Sequence, residues 1–473
     1  MITYNDYLLI NSNDSAQVMD FVARTISEHK ATDLYQNAVV ANEYAKRKNV
    51  TITQYQKLLY TITGKAVPDN YSANFKLASG FFRRFITQEN QHLLGNGVTW
   101  QNESTEDKLG EDFDTQLQKA GRLALIGGES FGFFNLDHMD VFGITEFAPL
   151  YDEENGAMMA GVRFWQVDPT KPLRATFYEI DGYTEFIWDT REVNLSDKWQ
   201  TLSQGKGMIA KRPYKLKISA SIADGAVIYD GENYPTFPII PLWGNPDHQS
   251  EIVGIREQID CYDLIKSGYA NTVDEGSIIY WLIQNAGGMD DIDLVKFVER
   301  IKTMHAANVG EGADGATASA HTIEPPYQSR EALLELLRGD LYEDAMALDT
   351  KSIADGAVTA TQIKAAYEPL TSKVDDYEYC VLEFLDGILA VAGITDESPT
   401  FTRSYIVNQS EEVQTIIQAA EYLDEEYATT KIVNILGDGD QAEDIIKRRK
   451  DNEMETSDLF AKNEKRTEEE VEE

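Results

Sequence analysis

The stretch that decides the fold runs from residue 348 to residue 393 and reads LDTKSIADGAVTATQIKAAYEPLTSKVDDYEYCVLEFLDGILAVAG. A polar segment with a glycine, residues 349–356, changes abruptly into a pattern with helical spacing. Alternating steps of four and three put one apolar stripe on one helix face. The residues of the stripe are Ile363, Tyr367, Leu370, Val374, Tyr377, Val381, Phe384 and Ile388.

The predicted helix is unusually long for a compact domain. From residue 359 to residue 392 it would extend about 50 Å at ~1.5 Å per residue. Helices of that length are typical of a strut in a large assembly. Pro369 lies inside the pattern, so we expect a kink or the local loss of a hydrogen bond there.

Two further helices are predicted upstream, on either side of a small insert. The first covers residues 250–275, with isoleucines and tyrosines on one face. The insert contains an apolar strand (SIIYWLI), a short acidic helix start and a Gly/Ala-rich stretch at 308–322. The second helix starts at Ser329, a plausible N-cap, and presents Leu333, Leu337 and Leu341.

The first half of the chain divides into a helical part and a β-rich part. Helical patterns occupy about 15–60, 74–94 and 112–126, the last closed by Gly127 and Gly128. From about 127 to 243 short runs rich in β-branched and aromatic residues predict antiparallel strands. These runs are FGFFNLD, ITEFAPL, MMAGVRFWQVD, RATFYEID, YTEFIWD, YKLKISASI and GAVIYDG. The proline-rich YPTFPIIPLWGNPDHQSE then forms an extended connector and a turn.

Three of these segments resemble the portal proteins of tailed phages, in the group found in siphophages of Gram-positive bacteria. ADGAVTATQIKAAYEPL is similar to a junction between a channel loop and a spine helix, with Asp355-Gly356 where the family often has Ser-Gly. NFKLASGFFRRFITQENQHLLGNGVTW resembles the helix that leads into the peripheral wing, and the proline-rich connector resembles the entry to the first stem helix. The order helix, insert, helix, loop, long helix also matches.

The resemblance implies an α+β, portal-like fold with a helical N-terminal region and an antiparallel β-rich wing. Two stem helices would flank a small α/β clip and lead to a tunnel loop, a long spine helix and a helical C-terminal crown. The expected divisions are wing 1–249 (β-rich from about 127), stem helix 250–275, clip 276–325, stem helix 326–347, tunnel loop 348–358, spine helix 359–393, crown 394–450 and an acidic, disordered tail 451–473.

The resemblance also implies a function and partners. It predicts a dodecameric homo-oligomeric ring at one capsid vertex, assembled in the host cytoplasm and carried in the virion. The ring would pass double-stranded DNA in packaging and ejection. It would bind the terminase large subunit, scaffolding protein, the major capsid protein and a head–tail connector. The expected channel-loop residues are Asp349, Thr350, Lys351, Ser352, Ile353, Asp355 and Gly356.

Composition places limits on these expectations. The chain has 473 residues, of which 42% are hydrophobic, enough for two to four structural regions and a sizeable core. Its net charge of −38 argues against tight nucleic-acid binding, which needs a basic footprint, but not against DNA passing through. No apolar run reaches the roughly 20 residues that span a bilayer, and the N-terminus lacks the features of a signal peptide. Cys261 and Cys380 are expected to be buried free thiols, as in a reducing compartment.

Motifs that could carry chemistry occur in the wrong contexts. Gly128-Glu129-Ser130-Phe131-Gly132 fits a nucleophile elbow, but a helix precedes it and a strand follows, the reverse of the required order. The glycines at 310–315 fit G-x-G-x-x-G without a following helix, and Asp438-Gly439-Asp440 lacks the spacing of a calcium loop. No paired Cys/His spacing predicts zinc, no cofactor is expected, and no Walker loop is present.

Two alternatives to the portal hypothesis remain. The first is a hydrolase built on the β-rich region with Ser130 as nucleophile, which predicts a monomer or dimer with a pocket of perturbed titratable groups. The second is another ring-forming virion protein, such as a connector. The long helix after a glycine-containing loop disfavours it, because connectors are usually much shorter.

Overall fold

A computed structural model describes the residues 2–60, 64–70, 72–168, 170–188, 199–201, 211–223, 226–275, 280–283, 296, 318–321, 327–351, 360–403, 409–420, 422, 424–436 and 445–448. Contacts divide the chain into two units, one of residues 1–348 and 369–404 and the other of residues 349–368 and 405–473. The predicted mixture of helices with antiparallel sheets is confirmed.

Helices predominate in the first and last parts of the described chain, and most strands lie between them. The helices are α1 (Tyr4–Leu8), α2 (Ser15–Ala31), α3 (Asp33–Ala45), α4 (Val50–Gln54), α5 (Phe81–Leu94), α6 (Glu103–Leu109), α7 (Phe113–Gly127), α8 (Arg256–Glu275), α9 (Tyr327–Asp344), α10 (Ala360–Ala392), α11 (Gln409–Ala419) and α12 (Glu425–Leu436). The strands are β1 (Leu58–Tyr60), β2 (Ala66–Pro68), β3 (Val98–Thr99), β4 (Glu129–Asn135), β5 (His138–Gly143), β6 (Phe147–Tyr151), β7 (Met158–Trp165), β8 (Leu173–Glu179), β9 (Gly182–Trp188), β10 (Trp199–Thr201), β11 (Lys215–Ala223), β12 (Ala226–Glu232), β13 (Ile239–Trp243), β14 (Tyr280–Ile283), β15 (Ala318–His321) and β16 (Thr400–Phe401).

The strands pair antiparallel throughout the described part of the chain. The largest sheet has the order β10-β9-β8-β7-β6, so each strand pairs with its neighbour in sequence. A three-stranded sheet, β13-β4-β5, joins the connector before α8 to the strands after α7. Two of its strands, β5 and β13, were not predicted, the second because its prolines favoured an extended connector.

The first apolar core lies between the N-terminal helices and the five-stranded sheet. Tyr7 of α1 and Phe21 of α2 lie 5.3 Å apart between ring centroids, and Phe177 of β8 lies 4.9 Å from Tyr7. The caps fix where these helices begin, since Asp14 accepts from the amide of Ala16 at 3.0 Å. Each fully buried ring of this kind contributes roughly 1.5–3 kcal/mol.

The second core forms where α10 packs against the three-stranded sheet. Phe384 of α10 is fully buried, and a Cβ atom on Gly132 of β4 would lie 2.5 Å from its ring. Gly387 meets Ile240 of β13 in the same way, at 2.7 Å. Glycine at these two positions therefore permits the close approach of helix and sheet. The predicted apolar stripe is buried from Leu370 to Ile388.

Several predicted helix limits were wrong. The pattern over 15–60 divides at Thr32 and Asn49 and ends in β1. The helix at 250–275 begins only at Arg256, because Ser250 donates to the carbonyl of Ile126 at 2.6 Å and starts a tight turn. Ser329 lies inside α9 and not at its N-cap. The long helix agrees with its predicted limits and continues on both sides of Pro369.

The largest local error concerns residues 74–80, which were predicted to be helical but are extended before α5. Alternate amides of this segment donate to polar side chains of α8. The bonds run from Phe75 to Asn271 Oδ1 (2.7 Å), from Leu77 to Ser267 Oγ (3.0 Å) and from Ser79 to Asp263 Oδ1 (2.9 Å). We call residues 74–80 the strap. It binds the first predicted stem helix to the body of the protein.

Candidate functional site

The candidate site is the junction between α9 and the predicted channel loop. After α9 the chain turns sharply, with Met346 at a positive φ of 51°. Leu348 is buried, and its carbonyl accepts a hydrogen bond from Gln88 Nε2 of α5 at 2.9 Å. The residue that precedes the loop is therefore anchored to the body of the protein by both apolar burial and a hydrogen bond.

The predicted loop residues are only partly described. Asp349 is half-buried, while Thr350 and Lys351 are exposed and already helical. The Lys351 amide donates to Asp349 Oδ1 at 3.0 Å, which caps this turn. Ser352, Ile353, Asp355 and Gly356 lie outside the described residues, and the assignment of the loop to a channel stays a prediction.

A buried ion cluster lies next to the same junction, and sequence reasoning missed it. Lys373 of α10 places its Nζ 2.9 Å from Glu89 Oε2 and 2.5 Å from Glu251 Oε2. The same Nζ donates to the carbonyl of Ala345, just after α9, at 3.4 Å. One cation thus connects α10, α5, the turn before α8 and the end of α9. The one local signal was the position of Lys373, three residues after the apolar Leu370 and therefore close to the apolar face of the helix.

The electrostatics of this cluster follow from burial. Removal from water raises the pKa of Glu89 to about 8, against the opposing effect of Lys373. Burial alone would lower the pKa of Lys373, but Glu89 and Glu251 outweigh it and the net shift is upward. Burial therefore favours the protonated form of Glu89, while Lys373 stays a cation beside Glu251.

The hydrolase alternative finds no support at Ser130. This serine is fully buried in β4, and its hydroxyl donates to the carbonyl of Ala120 at 2.9 Å. Burial raises the pKa of the adjacent Glu129 to about 7, and Tyr151 donates a hydrogen bond to this carboxylate. A side chain held inside a sheet cannot be presented to a substrate on a strained turn.

The remaining motifs add no chemistry. Among the described residues no cluster of His, Cys, Asp and Glu could hold a metal ion. The glycines at 310–315 and the acids at 438–440 lie outside those residues, and Ala318–His321 forms strand β15. Cys380 is buried as expected, but Cys261 is exposed, which corrects its prediction. No described helix is long and apolar enough to cross a bilayer.

The candidate site thus combines a long helix, an anchored junction and the antiparallel sheets behind it. Comparison with known proteins gives the family: the model "Phage portal protein, SPP1 Gp6-like" matches residues 41–455. The chain belongs to this family of phage portal proteins, which are structural components of the virion. The resemblance in the sequence is thereby confirmed.

Two relatives illustrate the range of similarity. A portal protein of Clostridium phage phiCD119 is 26% identical over 186 residues, 38% of this chain and 41% of that protein. A portal protein of Bacillus phage SPP1 is 22% identical over 425 residues, 84% of this chain and 79% of that protein. The first alignment therefore spans about two fifths of the relative, while the second spans most of both chains.

Proposed function

We propose that the protein assembles into a homo-oligomeric ring at one vertex of a phage capsid and forms the channel through which DNA is packaged and ejected. The observation that carries this proposal is the family match across residues 41–455. The order of α8, the β14–β15 pair, α9, the anchored Leu348 and the 33-residue α10 is consistent with it.

In this proposal α8 and α9 are stem helices that line the channel, and residues 349–356 narrow it. The anchor at Leu348 gives the loop a fixed base, so that loop movement need not disturb the body. A net charge of −38 lets DNA slide, because a mostly acidic wall repels phosphate instead of holding it. Lys351 is the one basic side chain in the segment DTKSIADG.

We also propose the number of subunits and the particular partner proteins. The ring would be a dodecamer assembled in the host cytoplasm with scaffolding and major capsid protein. Residues 276–325 would form the clip that binds the terminase large subunit, and a head–tail connector would bind later. A partner ATPase must supply the energy for DNA movement, because the sequence has no phosphate-binding Walker loop. No catalytic step is assigned to this chain.

Deletion of residues 349–356 tests the channel assignment. Rings should form as in the wild type, because the deletion spares Leu348 and begins beyond the anchor, whereas packaging or retention of DNA should fall at least tenfold. Light scattering and negative-stain images measure the rings, and nuclease-protected DNA per particle measures packaging.

A matched pair of point variants sharpens this test. Lys351→Ala should reduce DNA retention, whereas Lys364→Ala, an equally exposed lysine on α10, should not. A Gly/Ser segment of equal length separates loop length from loop chemistry. Loss of rings on deletion would refute the channel assignment, and a compact monomer at every concentration of the wild type would refute the ring itself.

A further inference from the structure

A concave cleft of about 680 Å³ lies among the strap, α5, α8 and α9. Its lining includes Arg47, Arg83, Arg84, Lys266 and Arg338 and, among the residues that the structure describes, no carboxylate. The chain as a whole has 80 acidic and 42 basic residues, so a lining of five cations and no acid is opposite to its composition. The cleft is a local positive region on a strongly negative protein.

Neutral groups satisfy most of these cations. Arg84 donates to the hydroxyl of Tyr342 at 2.5 Å. Arg338 lies over the ring of the same Tyr342, 5.1 Å from its centroid, and 3.8 Å from Glu335, a carboxylate on the exposed side. Lys266 lies 5.7 Å from the centroid of Tyr262. The contacts of Arg84 and Lys266 with tyrosines stabilise these two cations without cancelling their charge.

Two arginines extend the positive region further. Arg47 lies across the strap, where a Cβ on Gly80 would be 3.4 Å from its Nε. Arg83 is exposed on the first turn of α5, and no ion pair of its side chain is found within the described residues. Burial first, and then the charge of Arg83, lower the pKa of the nearby Arg122. Asp263 lies close by, but its oxygens accept from Ser79 and Asn49.

We propose that this cleft receives carboxylate side chains from a second copy of the chain and so forms one half of the contact between neighbouring subunits. The proposal rests on the ring of the proposed function. Copies that each carry a charge of −38 repel one another, so ring closure needs a local attraction. Four of the five cations are arginines, whose planar guanidinium matches a carboxylate with two parallel hydrogen bonds.

The shape of the cleft disfavours a DNA ligand. A cavity of this volume suits a group of small-molecule size, and a duplex could touch only its rim. Base stacking is also disfavoured, because cations already cover ring faces of Tyr262 and Tyr342. A two-fold contact would pair the cleft of one subunit with the same cleft of the other and set cations against cations. The acidic surface that enters the cleft must therefore lie elsewhere on the neighbouring subunit. That is the head-to-tail arrangement that closes a ring.

The test compares assembly of three variants of the full chain. Arg83→Glu should raise the protein concentration for half-assembly about tenfold or more, measured at one fixed ionic strength for every protein. Arg83→Lys keeps the charge and should remain within about threefold of the wild type. Arg174→Glu makes the same charge change at the exposed residue of β8, a strand whose other residues are buried, and should have no effect. Light scattering across a dilution series measures all four proteins.

The position of the substitution makes misfolding an unsuitable explanation for lost assembly. Arg83 is the third residue of α5, where an acidic side chain is favourable to the helix dipole, so the melting temperature should not fall. Zero-length carbodiimide cross-linking of mixed ¹⁴N and ¹⁵N chains gives a second readout. We expect Lys266 joined to a carboxylate of the other isotope.

The possible failures can be told apart. Two results would overturn the cleft proposal but not the proposal of a ring. One is that Arg83→Glu assembles as well as the wild type, and the other is that Arg174→Glu assembles as poorly as Arg83→Glu. Cross-links found only within one chain would do the same. A 20-bp DNA duplex bound by the wild type and lost in Arg83→Glu, with assembly unchanged, would reassign the cleft to phosphate. A wild type that never assembles would overturn both proposals.

Discussion

Lys373 and the cations of the cleft are basic residues in the same acidic protein, but they differ in burial and in their contacts with carboxylates. Lys373 is mostly buried and contacts two carboxylates and a backbone carbonyl within its own unit. Arg83 is exposed and has no carboxylate of its own among the described residues. The net charge of −38 does not distinguish these two kinds of cation. They differ in whether the contacting carboxylates belong to the same chain.

The comparison separates charge used for folding from charge available for assembly. Breaking a buried pair leaves an uncompensated charge away from water, which is strongly destabilising. Removing an exposed cation changes stability little. We therefore expect variants of the buried cluster to change unfolding, and variants of the cleft to change assembly alone.

The largest expected effect is that of Lys373→Met. Glu89 and Glu251 would remain buried without their cation, and the free energy of unfolding should fall by about 3–5 kcal/mol. Urea unfolding measures the loss, and Lys108→Met on the exposed face of α6 is the control. Adding Glu251→Gln to Lys373→Met should restore part of the stability, because Glu251 is the carboxylate that loses its cation. A loss below about 1 kcal/mol would show that the cluster is not essential to the fold.

The second prediction concerns the pH dependence of stability. The pKa of Glu89 is about 8 in the folded chain against 4.5 for an unperturbed glutamate, so between these values only the folded state holds the proton. Stability must then fall as pH rises, by up to about 1.4 kcal/mol per pH unit from this residue, and level off above pH 8. Glu89→Gln should remove that slope in unfolding curves at pH 5, 7 and 9.

The control for the second prediction is Glu106→Gln, an exposed glutamate whose substitution should leave the slope unchanged. If Glu89→Gln unfolds with the same pH dependence as the wild type, then Glu89 is ionised across this range and the ion pair is shared by both carboxylates.

The smallest predicted effect lies at the strap. Asp263→Asn keeps an acceptor for the Ser79 amide but presents an amide to Asn49, so about 1–2 kcal/mol of unfolding free energy should be lost. Asn271→Ala at the exposed end should cost less, about 0.5 kcal/mol. Equal losses in Asp263→Asn and Asn271→Ala would show that the strength of these hydrogen bonds does not depend on their burial.

Local patterns predicted the elements whose partners are local. The apolar stripe of α10 and the alternating strands of the β-rich region carry their own periodicity, and both were predicted close to their limits. The strap was mistaken for a helix because Phe75 was grouped with the apolar residues of α5. The acceptors that hold the amides of Phe75 and Leu77 lie 196 and 190 residues away, at Asn271 and Ser267.

The same reasoning explains what could be predicted of the candidate site. The junction before the loop was found because a polar segment adjoins a long periodic one. The cluster at Lys373 and the cleft were missed because their members come from four or more separate segments, and each residue alone looks like an ordinary surface charge. Only the folded chain places Glu89 and Glu251 beside the same lysine.

The strap also obeys a limit of length. Its bonded amides repeat every two residues, about 6.6–6.8 Å in extended chain, whereas their acceptors repeat every four residues, about 6.0 Å in a helix. The two repeats drift apart by roughly 0.7 Å per step, so that a fourth bond would be displaced by about 2 Å, beyond hydrogen-bond range. The mismatch keeps such a ladder of bonds short, and the chain enters α5 at Phe81, two residues after the last bonded amide.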